Sequence, residues 1–199
     1  MARISDPVKR LALLDEVVAY LASHGLGLLS LRPLAAHLGV STNRLVHHFG
    51  SKEELVAAAL ARAEEQQLAV RGRWLVKDPQ ISQADLLRKW WSWLIRSPRN
   101  LALVRLGLEA VAIDATASGV PGDVRARQIG VWRDEIEQRL TMFGMPAVEA
   151  QIEASILKAI FTGLVLDLIA SGDRARLTAA LDVTLARLEL RVLQPQFSQ

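Results

Sequence analysis

The chain has 199 residues, 51% of them hydrophobic and 23% charged, a balance that can bury a sizeable core and excludes a disordered or fibrous chain. Cysteine is absent, which rules out a disulfide framework, a thiolate metal site and a cysteine nucleophile, so packing alone must hold the fold. The formal net charge of +3 is a mild basic bias carried by arginine, with lysine only at positions 9, 52, 77, 89 and 158, and is no nucleic-acid signature by itself.

Apolar residues recur at helical spacing almost throughout, and alternating runs of valine, isoleucine and threonine are missing. An all-α fold of about nine helices is therefore predicted. The first helix has Ser5 or Asp6 as N-cap, Pro7 in its first turn and a stripe of Leu11, Leu14, Val18 and Leu21, and Gly25 ends it. A short second helix follows Ser30 and carries Leu31, Leu34, Ala35 and Leu38 before Gly39 turns the chain. The third takes Ser41 as N-cap and runs to about His47. Ser51-Lys52-Glu53-Glu54 is a capping box that launches a long fourth helix toward Arg73, closed by Lys77-Asp78-Pro79. Five longer helices are expected beyond it: Ser82 to Arg96, with a second capping box from Ser82 and Asp85, then Pro98 to Ile113, Gly122 to Phe143, Pro146 to Ala170 and Asp173 to Val192. Asp114 to Pro121 is the most loop-like stretch of this half.

The N-terminus lacks the apolar core of a signal peptide, and the longest weakly charged stretch, Ala154 to Ala170, contains Lys158 and Asp167 and is too short to span a bilayer. A cytoplasmic location is the expectation.

Residues 30 to 52 carry the functional constellation. A helix, a glycine turn and a second short helix opening with Thr42, Asn43 and Arg44 form the arrangement of a helix-turn-helix, whose second helix enters the major groove. Leu34, Ala35, Val40 and Leu45 are placed to pack, whereas Thr42, Asn43, Arg44 and His47 can donate outward. The first turn of this helix carries Arg44 and no carboxylate, which leaves its N–H groups and dipole for an anion such as DNA phosphate, and Lys52 at the start of the fourth helix offers a second such place. Arg32, Ser41, Thr42, Asn43, Arg44, His47, His48 and Lys52 are the candidate DNA-binding residues. Adjacent histidines diverge on a helix and no third ligand stands at metal spacing, so His47 and His48 are read as one packing and one phosphate-facing residue, with no metal and no cofactor expected.

Ser30-Leu31-Arg32-Pro33-Leu34-Ala35-Ala36-His37-Leu38-Gly39-Val40-Ser41, followed by Leu45-Val46-His47-His48-Phe49-Gly50-Ser51-Lys52-Glu53-Glu54-Leu55, resembles the DNA-binding signature of the TetR family of transcriptional regulators, over roughly residues 8 to 60. The resemblance implies that Thr42, Asn43 and Arg44 approach bases and phosphates and that Lys52 binds the backbone. Two positions depart from the family pattern. Val46 stands where a tyrosine is usual, removing a phosphate-binding hydroxyl, and Pro33 takes a place commonly acidic or polar, in a first turn where its missing N–H costs little. By the same analogy, residues 1–50 are a three-helix DNA-binding domain and residues 51–199 a helical bundle for effector binding and dimerisation.

In the last two helices, stripes at Ile152, Ile156, Ile160, Leu164 and Leu168, and at Leu177, Leu181, Leu185, Leu188 and Val192, suit a four-helix bundle formed by two copies. All five tryptophans lie outside the first fifty residues. Trp90, Trp91, Trp93, Trp132 and Phe161 are candidate walls of a small-molecule pocket, with Arg105, Glu109 and Asp114 as polar contacts; plain core is the competing reading of the aromatic residues. The expected protein is a non-enzymatic repressor that binds a palindromic operator as a homodimer and is released by a small-molecule inducer. A helical enzyme or carrier would need carboxylate-histidine pairs, yet all four histidines fall between 24 and 48, and no phosphate loop or serine elbow is present. A protein-binding adaptor is the other alternative.

Overall fold

The computed structural model describes residues 7–27, 29–112 and 122–193, without the side chains of 122–130 and 193. Among the described residues there are nine helices and no strand: α1 (Pro7–His24), α2 (Leu31–His37), α3 (Thr42–Phe49), α4 (Lys52–Lys77), α5 (Gln83–Arg96), α6 (Pro98–Ala112), α7 (Gly122–Met142), α8 (Ala147–Ser171) and α9 (Arg174–Leu193). The all-α expectation holds, and the helix boundaries fall within a few residues of those read from capping and periodicity. The expected N-cap at Ser5 or Asp6 and the loop from Asp114 to Pro121 lie outside the described residues. No described helix is long and apolar enough to cross a membrane.

The chain forms two compact units. One comprises Met1–Val70 and Pro98–Gln128, the other Arg71–Ser97 and Ile129–Gln199, so that α4 and α7 each contribute to both.

In the first unit α1 buries Leu13, Leu14, Val17, Val18 and Leu21 and packs most extensively on α6, which presents Leu103, Leu106 and Ala110. Leu11, part of the expected stripe, is exposed instead, and Leu13 and Val17 complete the core face. Asp15 fastens α1 to α4: it accepts from Arg62 Nε at 2.6 Å, from Arg62 Nη2 at 3.0 Å and from Gln66 Nε2 at 2.8 Å. The C-terminal end of α1 is tied to α6, because Arg105 Nη2 donates to the Ala22 carbonyl at 2.8 Å and Glu109 accepts from the Leu26 N–H at 2.9 Å.

The second unit packs α9 against α5 and α8. Leu177, Leu181, Leu185 and Leu188 are all buried, so the expected stripe of α9 closes the unit's own core. On α8 the buried face is Ala150, Ala154, Leu157, Phe161, Val165 and Leu168, while Ile152 and Ile156 of the expected stripe point outward, at 53% and 42% exposure. This helix is apolar nearly all round, and its small residues, rather than its isoleucines, allow close packing inside the unit. Arg88 joins α5 to α9 through Glu189 at 2.6 Å.

Candidate nucleic-acid interface

The turn between α2 and α3 is built from backbone bonds. Leu38 N–H donates to Leu34, Gly39 to Ala36 and Val40 to Ala35, with Gly39 at a φ of +64°, the left-handed region that glycine reaches without strain. Ser30 caps α2 with its backbone alone. Its hydroxyl accepts nothing, because the third helical position, where a capping oxygen usually finds its N–H, is Pro33. Ser41 does cap α3, its Oγ accepting from Arg44 N–H at 3.1 Å.

The two faces of α3 separate as the sequence predicts. Leu45 and Phe49 are buried, whereas Asn43, Arg44, Val46 and His47 are exposed and Thr42 is half-exposed. No acidic residue lies in its first turn. Arg32, on α2, and Ser41 are exposed as well. His48 is half-buried, its carbonyl accepts from Arg10 Nε at 3.1 Å, and the Arg10 guanidinium lies 5.1 Å from the centre of the Phe49 ring. Desolvation, followed by the positive neighbours His47, Arg44 and Arg10, holds the His48 imidazole below its ordinary pKa. It is therefore neutral near pH 7.

Arg10 is a contributor the sequence reading missed. It ties the C-terminal end of the recognition helix to α1 across a separation of 38 residues, which no local pattern encodes.

Lys52 opens α4 and is half-exposed. The capping box is complete: Ser51 Oγ accepts from Glu54 N–H at 3.1 Å, and Glu54 Oε2 accepts from Ser51 N–H at 2.7 Å. Because Glu54 folds back over this helix end, Lys52 offers an anion its side-chain charge, and the helix terminus itself adds less than the sequence suggested. The second box is partial. Ser82 Oγ accepts from Asp85 N–H at 3.0 Å and donates to Asp85 Oδ2 at 2.9 Å, a local pair in place of the reciprocal backbone bond.

The candidate effector residues divide between the units. Trp90, Trp91 and Phe161 are fully buried in the second unit, where Trp90 stacks on Trp93 at 4.5 Å and Trp132 meets Phe161 edge-on at 4.8 Å. Trp91 Nε1 donates to Thr178 Oγ1 at 2.8 Å, which satisfies its polar atom within the core. A cavity of about 10 Å³, room for one water molecule, is lined by Arg71, Gln83, Leu86, Leu87, Trp90, Trp132, Glu135 and Ile136. Arg105 and Glu109 belong to the first unit. There they hold the end of α1 and face each other at 3.1 Å, at an angle short of a hydrogen bond. Asp114 lies outside the described residues.

The sequence also gave no sign of the buried polar groups Arg71, Gln83, Arg139 and Glu153, since a charged residue within a helical pattern is ordinarily solvated. Arg71 bonds Glu135 at 3.0 Å and lies 4.8 Å from the centre of the Trp90 ring. Arg139 donates to Gln83 and to the Ile81 carbonyl, and Arg191 pairs with Glu153. No group of three or more metal-ligating residues occurs among the described residues.

Residues 13–59 match the bacterial regulatory proteins of the tetR family. Nothing among curated proteins matches the chain. Solved structures of similar fold include a transcriptional regulator from Rhodococcus sp. Rha1, 26% identical, covering 90% of this chain and 94% of its own at a TM-score of 0.73. A putative TetR-family regulator from Rhodococcus sp. is 22% identical over 90% of this chain and 100% of its own, at 0.69. A putative transcriptional regulator from Saccharomonospora viridis, solved in complex with choline, is 16% identical over 91% and 97%, also at 0.69. With residues 13–59 matched to the tetR family and its all-helical fold shared along nine-tenths of its length, the chain carries a TetR-type DNA-binding segment and is similar throughout to transcriptional regulators of that fold.

Proposed function

We propose that the protein is a ligand-responsive repressor that binds a palindromic operator as a homodimer. Residues 1–50 act on DNA, and residues 51–199 hold the effector and the dimer surface. The observation that carries the reading is α3: a helix anchored on one side by Leu45 and Phe49 that offers Thr42, Asn43, Arg44 and His47 to solvent, with no carboxylate in its first turn. Arg44 suits a guanine edge, whose two acceptors match the guanidinium fork, and Asn43 suits adenine. Arg32, Ser41, Thr42, His47, His48 and Lys52 serve phosphate contact and register.

Two recognition helices reach successive major grooves only when about 34–36 Å apart, so dimer geometry sets operator spacing. The outward apolar residues of α8, Ile152, Ile156, Leu166 and Ile169, support this helix as the main dimer surface. An effector acts by preferring the conformation whose spacing does not fit DNA. A fold neighbour was solved in complex with choline, which supports a small-molecule effector. The cavity lined by Trp90 and Trp132 has room for only one water, so an effector entering there must part side chains, and binding is thereby linked to a change of conformation.

The test is binding to the intergenic DNA upstream of the protein's own coding sequence over a range of salt. Affinity is expected to fall steeply with salt, as phosphate contacts release counterions, and a flat profile overturns the reading. Arg44→Ala should lose about 1–3 kcal/mol on the operator and little on random DNA, whereas Lys52→Ala should weaken both alike. Equal losses on both DNAs for Arg44→Ala would remove its base-reading role.

A further inference from the structure

The second unit holds a half-buried cation, Lys158, that meets no carboxylate among the described residues. Arg71 is answered by Glu135, and Glu153 by Arg191, but the buried Arg139 is held by the neutral acceptors Gln83 and the Ile81 carbonyl. Lys158, midway along α8, is half-buried and has neither a hydrogen bond nor an ion pair among the described residues. Its Nζ instead lies 5.7 Å from the centre of the Trp132 ring. Trp132 meets Phe161 edge-on, and Phe161 meets Trp91 edge-on at 5.8 Å, so the ammonium stands at the mouth of an aromatic corner whose floor is buried.

An aromatic face replaces lost water only in part, while a carboxylate placed on the ammonium makes a charge-assisted hydrogen bond of about twice the ordinary strength. A cationic ligand would add like charge beside the desolvated Lys158. A neutral one would leave the ammonium as it is.

We propose that Lys158, Trp132 and Phe161 form a subsite for an organic monoanion, an aryl or alkyl carboxylate whose apolar body takes the face of Trp132 and whose carboxylate takes Nζ. The inference rests on the effector-binding reading above and names the chemical class of that effector. The flexible lysine stem supplies the opening motion, since swinging it off the ring exposes the aromatic corner without unfolding a helix. Burial, which holds the Lys158 pKa below its ordinary value, agrees with an ammonium short of partners.

Calorimetric titration of the full chain with 2-naphthoate, 2-naphthamide and 2-naphthylmethylamine tests this, because the three share a ring system and differ in charge. The carboxylate should bind about tenfold more tightly than the amide, with the amine weakest. Lys158→Gln should lower naphthoate affinity to the level of the amide, leave the amide unchanged, and be rescued by Lys158→Arg. Naphthoate binding equally well to Lys158→Gln, amide or amine matching naphthoate on the unaltered protein, or no naphthoate binding at millimolar concentration would each overturn the proposal. Should Lys158→Gln not fold, the three-ligand comparison on the unaltered protein still decides. A parallel operator-binding measurement separates the two readings. Naphthoate bound through Lys158 without DNA release would sink the regulatory reading and leave the anion site, whereas DNA release by amide and acid alike would do the reverse.

Discussion

The two units handle polar residues in opposite ways. In the helix-turn-helix part of the first, the side chains that matter stand outward on short helices whose backing is apolar, and the caps that start those helices, Ser41 to Arg44 and Ser51 to Glu54, join residues three apart, with Arg10 to His48 as the long-range tie. In the second, charged groups are drawn inside and find partners far along the chain: Arg71 bonds Glu135 from 64 residues away, and Arg139 bonds the Ile81 carbonyl from 58. An exposed face can be assembled largely from local rules, whereas an interior that takes in charge is assembled from long-range ones.

The widest separation between the units should come from core truncation. Trp91→Ala removes a buried indole and its bond to Thr178 and should cost about 3–5 kcal/mol, seen as a lower denaturant midpoint, while the protein that remains folded keeps its operator affinity. Leu45→Ala should cost about 2–5 kcal/mol and carry DNA binding down with it, because that side chain seats the recognition helix. Equal operator affinities in the two variants would break the comparison.

A finer contrast comes from the caps. Ser41→Ala and Ser82→Ala each remove one helix-capping acceptor and should each cost about 1 kcal/mol in thermal or urea melts. Only the first is expected to shift DNA affinity, and a matching shift for the second would show that the units do not act separately.

The smallest effect concerns Asp15. The bond from Arg62, aided by Gln66 and opposed by burial, holds this carboxyl below the ordinary 3.8. Asp15 therefore stabilises the fold above that value, and its contribution is lost as the pH falls through the lower folded pKa. Asp15→Asn should be less stable than the unaltered chain at pH 7, with the gap closing in urea melts taken below pH 4. A gap that stays constant down to pH 2 would detach this clasp from the carboxylate charge.

How much of this was legible follows from the same contrast. Capping residues, glycine turns and the apolar period placed the helices, and the outward side of α3 followed from spacing alone. The recognition helix ends at Phe49, beyond the expected His47, because Phe49 is a core anchor and the chain bends only at Gly50. On α8 the period could not choose a face, since large apolar residues occur all round it and only packing shows that Ala150 and Ala154 face inward. Arg105 and Glu109 read as polar contacts for a ligand because they interrupt an apolar helix. Their partners, the Ala22 carbonyl and the Leu26 N–H, each lie 83 residues away and have no trace in local sequence. Arg10 and the buried arginines were hidden for the same reason.

Gly50 sits between the recognition helix and α4 with a φ of +80°, and a β-carbon there would stand 2.0 Å from Glu54 Oε2. Any side chain at this position must both strain the backbone and evict the carboxylate that closes the capping box. In a genetic screen for lost promoter control, residue 50 would accordingly score as if it touched the double helix, although its whole contribution is the bend that lets its neighbours do so.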